Sequence, residues 1–115
     1  MLPPNVLREI EDELKSFGLK SDKPSFNADL LLHRSVKGES TTVAVANLES
    51  FRDEDAQSLF KMSSKLGMST CLLILYTQNE SVKGDDVFSR FSEIKRRETS
   101  LLRSFDLCLY LVKPN

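Results

Sequence analysis

The run TCLLILYT, residues 70 to 77, constrains the fold more than any other stretch of this sequence. A strand with one wet face alternates apolar and polar side chains, but here both alternating sets are largely apolar. Such a strand needs cover on both faces, as is typical of a central strand in a sheet with helices on both sides. The segment therefore predicts an α/β protein with residues 70 to 77 at the centre of its sheet.

The other periodic segments supply the remaining layers. Apolar residues at helical or alternating spacing predict helices over 4–17, 53–67 and 85–104, and strands over 29–34, 41–48 and 105–112. The predicted order is α-β-β-α-β-α-β, a small mixed sheet of about four strands flanked by helices. A helix joins the last two strands, so they should be parallel. The length of 115 residues indicates a single domain over 1–115.

Charge and composition narrow the classes of function. The sequence is 40% hydrophobic and has a net charge of -1, so any contact with nucleic acid needs a local basic patch. No apolar run approaches the roughly 20 residues that span a bilayer. The first residues, MLPPNVLREIEDE, lack the apolar core of a signal peptide. We expect a soluble, cytoplasmic protein with no membrane partner.

Cysteine and histidine usage argues against a zinc site or a disulfide. Cys71 and Cys108 each lie in an apolar run, which predicts buried free thiols and a reducing compartment. His33 is the only histidine and has no plausible cysteine partner for zinc. The sequence contains no GxxxxGK[ST], GxGxxG or GxSxG motif, so we expect no nucleotide cofactor and no serine hydrolase site.

Four stretches together resemble a known fold. VLREIEDELKSFG, NADLLLHR, TTVAVANLES and DAQSLFKMSSKLGMSTCLLIL, over about residues 5 to 77, resemble the restriction-endonuclease-like core, of which the archaeal Holliday junction resolvases are small versions. The resemblance implies an Asp at the start of one strand and Glu-x-Lys on the next, holding a divalent cation and positioning the attacking water. Asp29 matches the first position, but TTVAVANL has no Glu-x-Lys. The resemblance therefore implies a degenerate nuclease site.

The register of the predicted hairpin decides which residues face Asp29, because directly opposed residues share one face of the sheet. A loop over 36–39 pairs Ser35 with Ser40 and sets Asp29 opposite Ala46, on a face with Ala44 and Leu48. A loop over 37–39 sets Asp29 opposite Asn47, on a face with Val45 and Glu49. Only the second register gives Asp29 a nearby carboxylate, Glu49. The two carboxylates could then hold a cation at a position displaced along the strand.

Two further residues are candidates for a surviving site. Glu13 lies on the predicted inner stripe of the first helix, where an apolar residue is expected. The resemblance implies that a first-helix glutamate can join the metal site, within a water-bridged contact of Asp29, and that Lys61 can supply the lysine. Each residue also has a purely structural explanation. Glu13 can extend its carboxylate into solvent, and Lys61 can be an exposed helix lysine. Asp29 can begin a strand or cap a turn. Mg²⁺ is expected as a cofactor only if this site is active.

The third predicted helix carries the arginines that are candidates for binding. They form two lines at seven-residue spacing, Arg90 with Arg97 and Arg96 with Arg103. Such rows can meet phosphates, although Glu93 and Glu98 interrupt them. The alternative is a solvated helix face with local ion pairs.

Three functions remain open from the sequence. The favoured one is a non-catalytic nuclease-fold domain that binds DNA or RNA, or serves as a subunit of a nucleic-acid-processing complex. The second is a small protein-interaction module with this α/β layout and no nucleic-acid role. The third is an active metal-dependent nuclease that uses Glu13, Asp29 and Glu49. A protein partner, including a homodimer, is compatible with the sequence.

Overall fold

The computed structural model describes residues 2–65, 68–98 and 102–113. Within them lie three helices and five strands: α1 (Pro4–Ser16), β1 (Lys20–Asp22), β2 (Leu30–Val36), β3 (Glu39–Asn47), α2 (Asp53–Lys65), β4 (Met68–Thr77), α3 (Gly84–Glu98) and β5 (Leu102–Leu111). The architecture is mixed α/β, as predicted, with one strand more than expected. No helix among these residues is long and apolar enough to cross a bilayer.

The five strands form one mixed sheet in the order β1-β2-β3-β4-β5. The first three pair antiparallel, and β3, β4 and β5 pair parallel. The parallel pairing of β4 with β5 confirms the prediction made from the helix between them. Because β4 lies between β3 and β5, the run TCLLILYT is an internal strand, although the middle of the five strands is β3 and not β4 as predicted.

The β2–β3 hairpin adopts the first of the two registers. Ser35 pairs with Ser40, and Val36 pairs with Glu39, which leaves a two-residue turn of Lys37 and Gly38. Both turn residues have positive φ, 52° and 80°, the conformation that fits the twist of a tight hairpin. The three-residue loop is therefore wrong.

Two boundaries differ from the prediction. Lys20–Asp22 form β1 although all three residues are exposed, so no apolar alternation marks the strand; its pairing with β2 creates it. The predicted helix over 85–104 is too long, because α3 is described only to Glu98 and Leu102 already pairs with Ser69 in β5. In the sequence, Leu102 continues the apolar stripe of the helix, and only strand pairing distinguishes the two.

One face of the sheet, the α2/α3 face, carries the main core. The helical spacing of α2 predicts five inward residues. Four of them, Ala56, Leu59, Phe60 and Ser63, are buried, and the fifth, Leu66, lies outside the described residues. Phe51 is fully buried, with its ring edge-on to Phe26 at 6.4 Å and to Phe91 at 5.6 Å. Aromatic rings thus tie α3 to the loop that precedes α2.

The opposite face, the α1 face, is only half covered. Leu14 packs with Leu32 and Val43, but Leu72 and Ile74 of β4 are only half-buried. Complete cover of β4 is therefore confirmed on the α2/α3 face and is wrong on the α1 face. The helical spacing of Val6, Ile10, Leu14 and Phe17 predicts that Phe17 also points inward, but it is 60% exposed, so this prediction is wrong.

The cysteines follow the same division. Both are free thiols, as predicted. Cys71 is buried on the α2/α3 face, and this burial raises the pKa of its thiol to about 12, although a hydrogen bond with Ser63 acts in the opposite direction. Cys108 pairs with Ile74 on the uncovered half of the α1 face and is only half-buried, so the prediction of full burial is wrong for it.

Candidate functional site

Three strands bring polar residues together at one edge of the sheet. Asp29 directly precedes β2, Asn47 ends β3, and Tyr76 lies one residue before the end of β4. With Asn27, Ala28 and Ser50 they line a pocket of about 230 Å³, the strand-end pocket. The carboxyl ends of parallel strands are where open α/β sheets bind their ligands. This pocket also contains the position that the nuclease resemblance assigns to a metal carboxylate.

Tyr76 holds Asp29 in place. Its hydroxyl donates a hydrogen bond to the Asp29 carboxylate, and the Asp29 backbone N–H donates to the Val45 carbonyl at 2.8 Å. Burial, followed by the hydrogen bond and charge of Asp29, raises the pKa of Tyr76 to about 12. The hydroxyl is therefore protonated at neutral pH and serves as a fixed donor to the carboxylate.

The other polar groups of the pocket are engaged with one another. Asn47 Oδ1 accepts hydrogen bonds from the Ser50 N–H and Oγ, each at 3.2 Å. Asn27 Nδ2 donates to the Ser50 carbonyl at 2.6 Å. The carboxylate of Asp55 accepts hydrogen bonds from the backbone N–H groups of Asn27, which lines the pocket, and of Arg52, at 3.0 and 2.8 Å. Its charge thus serves the start of α2, where it also complements the helix dipole.

The structure separates Glu49 from Asp29. Both Glu49 carboxylate oxygens accept from Thr77 Oγ1, at 2.8 and 3.0 Å. Tyr76 and Thr77 are successive residues of β4, and successive side chains of a strand point to opposite faces. The two carboxylates therefore have different partners, and Glu49 does not line the strand-end pocket, so they do not form the displaced pair of cation ligands that the second register offered.

Glu13 and Lys61 are not brought to this pocket. Glu13 is exposed near the end of α1, beside Leu14, which packs on Val43. Val43 precedes Ala46, the residue opposite Asp29 by register, by three positions, about 10 Å along the strand. Lys61 is exposed on α2. Neither residue lines the pocket.

The strand-end pocket offers few oxygen ligands for a divalent cation. Mg²⁺ and Ca²⁺ take several oxygen ligands, with carboxylates prominent among them. Asp29 is the one carboxylate in the lining, and Tyr76 occupies one of its oxygens. Among the described residues, no group of three or more His, Cys, Asp or Glu side chains is placed to hold a metal ion. The residues at Asp29 thus do not fit the cation that the resemblance implies.

The predicted arginine rows are not rows of unpaired charge. Arg90 binds Asp53 at 2.7 and 2.8 Å, and its guanidinium lies 4.6 Å from the centre of the Phe91 ring. Arg96 binds both carboxylate oxygens of Glu93 at 2.6 and 2.7 Å. This pairing lowers the pKa of Glu93 and raises that of Arg96.

The prediction that Arg96 and Arg103 form a line on one helix is wrong. Arg103 belongs to β5 and not to α3, so it does not stack on Arg96 along one helix. Its side chain lies outside the described residues. Arg97 is exposed on α3 beside the ion pair of Arg96 and Glu93. The positive charge of α3 is therefore concentrated at its carboxyl end.

Tyr76 is the site residue that sequence reasoning missed. In TCLLILYT it looks like one more large core residue, and only 3% of its surface is exposed. Its hydroxyl at a strand end, level with an aspartate that begins the neighbouring hairpin, is the signal for its role. That signal is readable only once the strand order is known.

No protein-family model, no curated protein and no solved structure matches this chain. The resemblance to the nuclease fold therefore rests on the order of the elements and on Asp29.

Proposed function

We propose that this chain is a non-catalytic nuclease-fold domain that acts by binding nucleic acid or as a subunit of a nucleic-acid-processing complex. The strand-end pocket carries the proposal. Asp29 stands where the resemblance expects a metal carboxylate, but it accepts a hydrogen bond from Tyr76. The order of α1, the β2–β3 hairpin, α2 and β4 supports the same fold, since it is the order on which the resemblance rests.

The chemistry supports binding over cleavage. Metal-assisted phosphodiester hydrolysis needs a cation that generates the attacking hydroxide and stabilises the developing charge. Asp29 alone supplies too few ligands, and Glu49, which accepts from Thr77, does not line the pocket. Ala46 and Asn47 occupy the part of β3 next to Asp29, where the resemblance places Glu and Lys.

A cleavage assay tests the absence of activity. We expect no cleavage of duplex, single-stranded or four-way-junction DNA with Mg²⁺ or Mn²⁺. Asp29→Ala is the matched variant, and it should give the same background as the wild type. Metal-dependent cleavage that disappears in Asp29→Ala would overturn the proposal.

A titration tests nucleic-acid binding directly. Exposed ion pairs contribute little, so the α3 arginines can exchange a carboxylate for a phosphate at small cost. We expect labelled DNA or RNA to bind at low salt and to bind less tightly at high salt. Replacing Arg96 and Arg97 by alanine should weaken binding and flatten the salt dependence, whereas replacing Arg8 and Lys15 of α1 should not. If the wild type does not bind at low salt, direct nucleic-acid binding is excluded.

One observation favours a second candidate, a small protein-interaction module. The uncovered half of the α1 face exposes apolar side chains, with Tyr110 59% accessible and Leu72 and Ile74 only half-buried. Contiguous exposed apolar surface of this kind marks interaction sites. A protein that binds no nucleic acid but binds a helical peptide on this face would have this function.

A further inference from the structure

The α1 face has room for a second helix. Neighbouring strands lie about 4.8 Å apart, so five strands span about 19 Å, and packed helices lie about 10 Å apart. The α2/α3 face accordingly carries two helices. On the α1 face, within the described chain, α1 packs alone; its backbone lies near β1 and β2, and its apolar side chains reach β3 and β4. The width of one helix is therefore left above β4 and β5.

This space is an apolar groove of about 420 Å³, the α1–β5 groove. Its floor and its two walls include Ile74, Tyr76, Val6, Ile10, Tyr110 and Val112. The sequence of β4 independently indicates that this surface packs against another element. The apolar side chains of TCLLILYT point to both faces, and such strands are usually covered on both. Leu72 and Ile74 remain half-buried in the isolated chain.

Exposed carboxylates lie on both sides of this apolar face, and the exposed Lys113 follows Val112 at one end of the groove. At 100° per residue, Glu9 and Glu13 project within about 60° of Val6, on the groove side of α1, and both are exposed. Asp106 is exposed on β5 and pairs with Leu72, so it emerges on the same face as Tyr110.

The basic residues of α1 lie away from the groove. Arg8 and Lys15 project about 160° to 180° from Val6 on the helix. Lys15 is also turned toward Glu11, at 3.9 Å. The rim therefore complements a positively charged partner, and Glu13 borders the groove although its position in the apolar stripe is unusual.

We propose that the α1–β5 groove binds an amphipathic helix of a protein partner, one whose apolar face is flanked by lysine or arginine. The proposal rests on the second candidate function and names the chemistry of its partner. A second copy of this chain docked groove to groove would bring the acidic residues Glu9, Glu13 and Asp106 of both copies into one interface. Like charges facing each other across an interface oppose that association.

The probe is a synthetic helical peptide of leucine and lysine with leucine at i, i+3, i+4 and i+7. The matched control peptide has glutamate at every lysine position. Fluorescence anisotropy with the whole chain should show the leucine–lysine peptide binding at least about tenfold more tightly than the control, with affinity falling as salt rises. Failure of the leucine–lysine peptide to bind, or equal binding of both peptides, would overturn the proposal.

Variants locate the site. Asp106→Asn and Glu13→Gln should each weaken binding of the leucine–lysine peptide, and Tyr110→Ser should weaken it further by removing an apolar contact. Glu54→Gln is the matched control, because Glu54 is also exposed but lies on α2. All four changes are at exposed positions, so circular dichroism should show the native fold. Equal weakening by Glu54→Gln and Asp106→Asn would place the peptide elsewhere and contradict the proposal.

Sedimentation distinguishes the remaining occupant. We expect the chain to be monomeric at the concentrations of the binding assay. A dimer that Tyr110→Ser dissociates would mean that a second copy fills the groove, and the proposal would be wrong. The cleavage and nucleic-acid assays do not involve the groove, so the non-catalytic nuclease-fold proposal is tested separately.

Discussion

At the scale of single residues, the contact between Tyr76 and Asp29 joins β4 to the start of β2. We predict that Tyr76→Phe lowers the free energy of unfolding by about 1–2 kcal/mol, because it leaves a carboxylate without a donor at a partly buried site. Tyr110→Phe is the matched control, since Tyr110 is 59% exposed, and it should change stability by less than about 0.5 kcal/mol. Urea unfolding measures both. Equal effects of the two variants would mean that the hydrogen bond contributes nothing.

The same contact predicts a pH dependence. The pKa of Tyr76 is raised from 10.0 to about 12, chiefly by burial and then by the hydrogen bond and charge of Asp29. A raised folded-state pKa stabilises the fold fully below the unfolded-state value, and the contribution is lost as the pH rises through the folded-state value. We therefore expect stability to fall between about pH 10 and pH 12.

Asp29→Asn tests the cause of this shift. The substitution removes the charge of Asp29, so the pKa of Tyr76 should decrease, although burial should keep it above 10.0. Absorbance of tyrosinate as a function of pH measures the change, and Tyr76→Phe identifies which part of the signal belongs to this residue. An unchanged titration in Asp29→Asn would contradict the assignment.

At the scale of elements, α3 is held to the sheet by its buried stripe. Phe91 is fully buried and meets Phe51 edge-on at 5.6 Å, whereas Phe88 is 42% exposed and stacks on Phe105 at 5.7 Å. We predict that Phe91→Ala lowers the free energy of unfolding by about 3–5 kcal/mol, because it removes a large buried side chain and leaves a cavity.

Phe88→Ala is the matched control on the same helix. It should cost less than about 1.5 kcal/mol, because much of the ring is already exposed and the stacked pair is its main contact. Thermal or urea unfolding of both variants measures the difference. If Phe88→Ala were the more destabilising change, the orientation assigned to α3 would be wrong.

At the scale of the whole molecule, a single sheet contributes to the cores on both of its faces. Val45 and Ala46 are neighbours in β3, yet one packs with α1 and the other with the α2/α3 core. Because neither face can lose its strands without exposing the other, we predict one cooperative unfolding transition. Circular dichroism and tyrosine fluorescence should give the same midpoint. Separate midpoints would show that the α1 face unfolds on its own.

The sequence predicted much of the fold because local periodicity reports which side of an element is apolar. The stripe of Ala56, Leu59 and Phe60 predicted α2 and its buried side. The two apolar faces of TCLLILYT predicted an internal β4. The same method failed at β1, which has no apolar residue, and at Leu102, whose apolar side chain fits a helix as well as a strand.

The candidate site was predictable only in part. The sequence identified Asp29 and the lack of a Glu-x-Lys in β3, because both are local features of the chain. It did not identify Tyr76 as the partner of Asp29, because the two residues are 47 positions apart and meet only through strand order. It also left open whether Glu49 joins Asp29, because a shift of one residue in a hairpin moves every side chain to the other face.

The sequence by itself thus determined the class of the fold, the positions of its helices apart from the end of α3, an internal strand at β4 and the lack of a Glu-x-Lys in β3. Tertiary structure alone decided the register, the separation of Asp29 from Glu49 and the open half of the α1 face. The physical reason is that apolar spacing dictates that Leu72 and Ile74 need cover, but it does not dictate what covers them. Within the described chain α1 lies nearest to β1 and β2, and the apolar surface of β4 and β5 remains partly uncovered.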